Sequence, residues 1–196
     1  MKKLLITGFD PFGGESINPS WEAVKKLKDQ IGNYELIKAE IHTVFGTCFE
    51  DAMSACGERA PDAVICVGQA GGRPGLAIEV VGINLREARI ADNAGNQPKN
   101  KPVIEGAPAA YFSTLPVRDM VKAAEEAGYN AALSFSAGAF VCNDLLYSML
   151  NHFDGSNTKV AFIHVPFLPE QAKGNAPSME LSDITAALTA IISSLD

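Results

Sequence analysis

The sequence predicts an α/β fold: a single-domain, three-layer sandwich with a mostly parallel twisted sheet and helices on both faces. Two patterns point there. Short apolar, β-branched runs alternate with longer runs of period near 3.6, the order expected when helices connect parallel strands. The strand runs are hydrophobic almost throughout, as strands covered on both faces are, rather than apolar at every second residue. Size agrees: 196 residues, 47% hydrophobic and 20% charged, suffice for one core that needs neither disulfides nor metal.

The first strand is KLLITGF (3–9). Asn18 then stands as an N-cap, Pro19 opens a helix, and Trp21, Val24, Leu27 and Ile31 form its apolar stripe. YELIKAEIH (34–42) is the second strand, and Cys48, Phe49, Ala52, Met53 and Cys56 make the second helical stripe. DAVICVGQ (62–69) and AIEVVGINLR (77–86) are the third and fourth strands. From Glu87 to Leu115 the chain is rich in Asn, Pro and Gly, which predicts a long excursion with a hairpin. A third helix starts around Leu115-Pro116, carries Val117, Met120, Val121 and Ala124, and stops at Gly128. NAALSFSA (130–137) is the fifth strand; the fourth helix follows with Cys142, Leu145, Leu146, Met149 and Phe153, and ends near Gly155. KVAFIHV (159–165) is the sixth strand, and a Ser178 cap precedes the last stripe of Leu181, Ile184, Leu188, Ile191 and Leu195. Without an internal repeat or an interdomain linker, residues 1–196 read as one domain.

A formal net charge of −7, and no basic run longer than the pairs Lys2-Lys3 and Lys25-Lys26, argue against nucleic acid or an anionic membrane as a partner. The start, MKKLLITGFDPF, is too short in its apolar run for a signal peptide and reads as a strand. The apolar run from Val160 to Leu168 contains His164 and Pro166 and is far too short to span a bilayer. The expected location is the cytoplasm. Cys48, Cys56, Cys66 and Cys142 form no CxxC, and only three histidines could complete a zinc site, so reduced thiols and no metal are expected.

Sites in open α/β sheets form beyond the carboxyl ends of strands. Four predicted strands end in unusual sequence: GFDPFGG after the first, GQAGGRPG after the third, SAGAFVCN after the fifth and HVPFLPEQ after the sixth. A parallel sheet is expected to bring them to one edge. As phosphate loops they are weak, since Arg73 stands where a P-loop needs Lys followed by Ser or Thr, and no GxGxxG occurs.

Cys48 and Cys56 lie on an apolar helical stripe and Cys66 within a strand, so all three read as core. Cys142 also fits its stripe, and position alone favours packing. Yet it falls in a helix's first turn, where unpaired N–H groups and the helix dipole favour a thiolate. A nucleophilic cysteine needs a base and a group that orients the base. His42 ends a strand across a turn from Gly46, and His152 sits in the polar stretch NHFDG. His164 lies among apolar residues at the end of the sixth strand, expected beside the strand leading into Cys142. Alone it reads as a core histidine; paired with that cysteine it reads as a catalyst. Glu79 interrupts the apolar LAIEVVGI and, if buried, needs a partner such as His164. An edge strand with Glu79 in water accounts for the pattern equally well.

Five stretches, TGFDPFGGESINPSWEAV, VGQAGGRPG with IEVVGIN, ARIADNAGNQP, SAGAFVCND and FIHVPFLPEQ, resemble in order and spacing the pyroglutamyl peptidase I family, also called pyrrolidone carboxyl peptidases. They run from near the start of the chain to about Gln171. The resemblance implies an α/β cysteine peptidase that removes N-terminal pyroglutamate from peptides, works without metal or organic cofactor, and is a cytoplasmic homo-oligomer, dimer or tetramer. Matched motif by motif, it implies Cys142 as nucleophile, His164 as base and Glu79 as orienting acid. It also implies Arg89 near the oxyanion, Phe9 and Phe12 around the pyrrolidone ring, and Asn18 and Gln69 near the substrate. A neutral lactam calls for an aromatic, hydrogen-bonding pocket, so Asp10 in GFDPFGG needs a structural partner. Two positions depart from the family pattern: Val80 where many members carry Arg, and Ala139-Phe140 in place of a Thr-Tyr-like pair. A nucleoside- or phosphate-binding α/β enzyme and a non-catalytic binding protein are the other functions these loops could serve.

Overall fold

The computed structural model describes residues 1–57 and 60–195. The chain runs from β1 (Lys2–Phe9) through α1 (Pro19–Lys26) and the short β2 (Gln30–Ile31) into β3 (Tyr34–Ile41). Then come α2 (Thr47–Cys56), β4 (Ala63–Gln69), β5 (Leu76–Glu79), β6 (Val81–Ile83) and β7 (Ala110–Phe112). The order closes with α3 (Val117–Glu126), β8 (Ala131–Ser134), α4 (Val141–His152), β9 (Lys159–Val165) and α5 (Leu181–Ser193). Seven strands form one sheet in the order β2-β3-β1-β4-β9-β5-β8, and β6 and β7 form a separate hairpin. The long excursion is the stretch between the two strands of that hairpin.

Alternation in the strands sorts side chains into two cores, as the period of two requires. Leu4 and Ile6 of β1, Ile65 and Val67 of β4, and Ala161 and Ile163 of β9 pack with α1, α3 and α5. Leu5, Val64, Cys66, Val160 and Phe162 face the other way and pack with α2 and α4. The predicted three-layer α/β class is the one observed. Among the described residues no helix is long and apolar enough to cross a membrane.

Several details differ from the sequence expectations. The first helix ends at Lys26, and Ile31 belongs to β2, because the chain must turn to pair Ile31 with Tyr34. Ser178 is not the cap of the last helix; Glu180 holds that position without a side-chain bond. The strand predicted over 77–86 is broken. After Glu79 the Val80 N–H donates to Ser134 O and Val80 O accepts from Ser113 N, so the backbone changes partners and β6 leaves the sheet. There Gly82 lets β6 lie against α4, since a Cβ would meet Leu146 and Tyr147 atoms at 3.1–3.2 Å.

The largest difference is one of direction. β4 and β9 run parallel, but β5 is antiparallel to β9, and β8 follows β5. The carboxyl end of β8 therefore does not join those of β1, β4 and β9 at one edge. Residues 135–140 instead carry the chain back to the start of α4. His164 is flanked by β4 and β5, with β8 one strand further out, so it is not next to the strand that leads into Cys142.

Candidate active site

Parity places the central residues. On β9, Phe162 and His164 share the face that meets α2 and α4; on β5, Ala77 stands opposite His164 and Glu79 opposite Phe162. Glu79 therefore points into the same layer, in which it is fully buried and His164 is only 5% exposed. Glu79 Oε1 meets His164 Nδ1 at 2.7 Å. This answers the choice the sequence left open: Glu79 is not on a solvent-facing edge. The other carboxylate oxygen, Oε2, is buried with no hydrogen-bond partner among the described residues. Arg73 approaches Oε1 to 3.6 Å.

Cys142 is the second residue of α4, a helix whose N-cap, Phe140, offers no side-chain hydrogen bond. Its thiol lies over Gly68 so closely that a Cβ there would be 3.0 Å from Sγ and 2.7 Å from the Phe162 ring. Gly68 is the register partner of His164 in the β4–β9 ladder. The absence of a side chain at 68 is thus what lets the thiol settle beside the imidazole strand. Burial pushes the Cys142 thiol up to about 12, with the Glu79 charge and Cys66 adding and its own backbone N–H opposing. Burial likewise raises Cys66, to about 12, and Cys48, consistent with inert core thiols.

Two polar neighbours of Cys142 anchor the helix start, and sequence reasoning missed them. Asn143 accepts from Ile83 N and donates to Ile83 O and Leu85 O. Asp144 accepts from Gly46 N at 2.8 Å and pairs with Arg86 Nε at 2.5 Å. Both are buried in the first turn of a helix whose buried side is mostly apolar. That pairing of polar type with a buried stripe is the signal the sequence carried, since such groups need partners.

Aromatic rings collect beside Cys142. The Phe12 ring lies 6.3 Å from that of Phe140, which meets Phe45 edge-on at 5.3 Å. All three are partly exposed, while Phe9 is buried against Phe162 at 6.5 Å. Phe12 therefore borders open space and Phe9 belongs to the floor beneath it. Asp10 has the structural partners it needed, accepting from Thr43 N at 2.7 Å and from Asn93 Nδ2 at 3.2 Å. Asp92 ties the excursion to the same loops by accepting from Phe45 N. Burial alone would raise its carboxyl, but bonds from Asn96, Phe45 and Ala94 win and hold it below the usual range.

The remaining predicted positions have other engagements. Asn18 caps α1 by accepting from Ser20 N, and donates to Asp10 O; its amide shapes the loop that carries Phe12. Gln69 accepts from Gln171 Nε2 at 3.1 Å. Arg89 is exposed and forms no ion pair among the described residues; its carbonyl accepts from Gln97, two residues beyond the point where Glu87 N donates to Ala139 O. No group of three His, Cys, Asp or Glu among the described residues is arranged to hold a metal ion.

Comparison with known proteins bears on this arrangement. The sequence pattern of the pyroglutamyl peptidase family matches residues 2–195. Pyrrolidone-carboxylate peptidases of Bacillus cereus strain AH820 and of Bacillus anthracis are each 51% identical over 189 residues, covering 94% of this chain and 88% of the relative. The crystal structure of Bacillus amyloliquefaciens pyroglutamyl peptidase I superposes with a TM-score of 0.95 at 44% identity, over 100% of this chain and 97% of that one. A mutant pyrrolidone carboxyl peptidase from the hyperthermophile Pyrococcus furiosus superposes with a TM-score of 0.93 at 38% identity, over 98% and 97%.

Proposed function

Since the chain belongs to the pyroglutamyl peptidase family, whose members are cysteine-type hydrolases, we propose that it cleaves the amide bond after an N-terminal pyroglutamyl residue with Cys142, His164 and Glu79. The observation that carries this reading is the buried 2.7 Å contact between His164 Nδ1 and Glu79, on the sheet face that also receives the Cys142 thiol. With Nδ1–H held by the carboxylate, Nε2 is the ring nitrogen left to accept a proton.

The steps follow from those positions. Cys142 Sγ gives its proton to His164 Nε2 as the sulfur attacks the pyroglutamyl carbonyl carbon. The oxyanion of the tetrahedral intermediate is stabilised by backbone N–H groups in the first turn of α4, which no side chain caps, and by Arg89 if its exposed guanidinium swings inward. Collapse breaks the C–N bond, and the imidazolium returns the proton to the departing amine. A thioester remains, and His164-assisted water hydrolyses it to free pyroglutamate. Phe12, Phe45 and Phe140 supply an apolar wall suited to a neutral five-membered lactam, with Phe9 beneath; Asn18 acts indirectly, by shaping the loop that carries Phe12, and Gln69 is the polar candidate for the substrate. No cofactor enters this sequence of steps. The reading places the enzyme in the cytoplasm as a homo-oligomer.

The test compares a pyroglutamyl amide reporter with its glutaminyl and prolyl counterparts. Turnover of the first alone, lost by about a thousandfold or more in Cys142→Ala and after thiol alkylation, is the expected result. Undiminished activity in Cys142→Ala would remove the proposal.

A further inference from the structure

The Glu79 carboxylate presents a charge problem that the His164 contact does not solve. It is fully buried, its Oε2 has no partner among the described residues, and a buried carboxylate is costly unless a cation compensates it. A neutral imidazole offers a hydrogen bond but no charge. Around the site β4 supplies Cys66, β9 His164 and α4 Cys142, while Ser134 at the end of β8 and Ser113 just after β7 are neutral; Ser113 Oγ donates to the Glu79 carbonyl at 2.6 Å. Asp144 and Arg86 compensate each other. That leaves Arg73, whose Nη1 stands 3.6 Å from Glu79 Oε1 with its side chain 35% exposed. It also lines an open groove with Pro74, Asn130 and Leu133.

We propose that Arg73 is a positioning residue of the active site, supplying the countercharge to the buried Glu79 carboxylate that makes the Glu79–His164–Cys142 group electrically neutral. The count holds at each stage. With thiol and neutral imidazole, Arg73 balances Glu79. With thiolate and imidazolium, the new pair balances itself and Arg73 still balances Glu79. Without Arg73 the group carries a net negative charge in both states. The Glu79 charge is one of the influences that hold the Cys142 thiol up, so a cation beside that carboxylate acts in the opposite direction. The position is one that sequence reading discards, because an arginine in GQAGGR invites only comparison with a phosphate loop.

This inference rests on the peptidase reading for its kinetic arm but has a second arm that does not. Arg73→Gln and Arg73→Lys are compared with the unmodified protein, using the pyroglutamyl reporter and the pH dependence of iodoacetamide alkylation of Cys142, followed on its own peptide by mass spectrometry. Arg73→Gln should lower kcat about 10- to 100-fold, the usual cost of removing the partner of a functional group, with KM little changed. Its alkylation midpoint should move upward by about one pH unit, the sign expected when a cation is taken from beside a site that must hold a thiolate. Arg73→Lys should recover most of both. The double variant Arg73→Gln/Glu79→Gln lacks both charges, so it should fold even if the single one does not, and its midpoint should fall below that of Arg73→Gln. Unmoved midpoints, a Lys variant no better than Gln, or a rise in KM alone would each overturn the assignment. Failure of the unmodified protein to cleave the reporter would instead count against the peptidase reading, and the alkylation profiles would still decide the role of Arg73.

Discussion

At residue scale, the site depends on groups that cannot be exchanged for others of similar size. Glu79 fixes the His164 ring through Nδ1, and a glutamine would retain the volume while losing the charge and presenting an amide whose N–H₂ could face Nδ1. The wrong tautomer would then be favoured. Glu79→Gln should therefore lower kcat on a pyroglutamyl reporter by about 10²- to 10⁴-fold, with a thermal unfolding midpoint close to that of the parent. If the midpoint collapses along with activity, the carboxylate is mainly a structural group and the proposed role fails. Gly68 belongs at this scale too, because any side chain there would displace either Phe162 or the thiol.

At the scale of elements, three loops are stitched together around the aromatic wall. Asp92 accepts from Phe45 N, Ala94 N and Asn96 N, and Asn93 reaches Asp10 and Pro11 O. The Asp92 carboxyl is held below its ordinary value of 3.8, and such a group adds stability above that value which is lost as pH falls through the lower, folded one. Asp92→Asn should thus be less stable than the parent at neutral pH, and the gap should narrow below about pH 4. Chemical denaturation at several pH values measures it, and a gap independent of pH would contradict this account.

The same scale shows what sequence could reveal. Periodicity located all five helices and the buried strands, because Leu5, Val64 and Phe162 must face one layer when Leu4, Ile65 and Ile163 face the other. Burial of His164 among apolar residues was readable for the same reason. The reversal of β5 and β8 was not, since a strand buried on both faces has the same composition whichever way it runs. Nor was the break after Glu79, which arises when Val80 changes partners between Ser134 and Ser113. The pairing of Arg73 with Glu79 depends on the path of a glycine-rich turn, and nothing in GGRPG specifies that path. Asn18 was readable as a cap, and the structure shows its amide committed to that task.

At the scale of the whole molecule, two aromatic side chains lie open to solvent: Phe112 is 72% exposed and Phe135 is 68% exposed. Phe135 follows β8, an outermost strand of the sheet, whose far side has no strand partner among the described residues. Exposed aromatics beside an open edge favour association, which accords with the proposed homo-oligomer. Sedimentation equilibrium should give a mass of two or four chains, and Phe112→Ser with Phe135→Ser should raise the monomer fraction. A monomer throughout the micromolar range would rule the assembly out.

The position of β9 has a consequence for how the molecule comes into being. It is the last strand along the chain yet lies in the middle of the sheet, paired with β4 through seven residues and with β5 through three. Before it docks, β2-β3-β1-β4 and β5-β8 are two separate fragments with raw facing edges. During synthesis more than four-fifths of the chain must therefore emerge before the two fragments can be joined, and His164 arrives on the strand that joins them. Closure of the sheet and completion of the His164–Glu79 contact are one event, so on the proposed mechanism a nascent or half-folded chain is inactive.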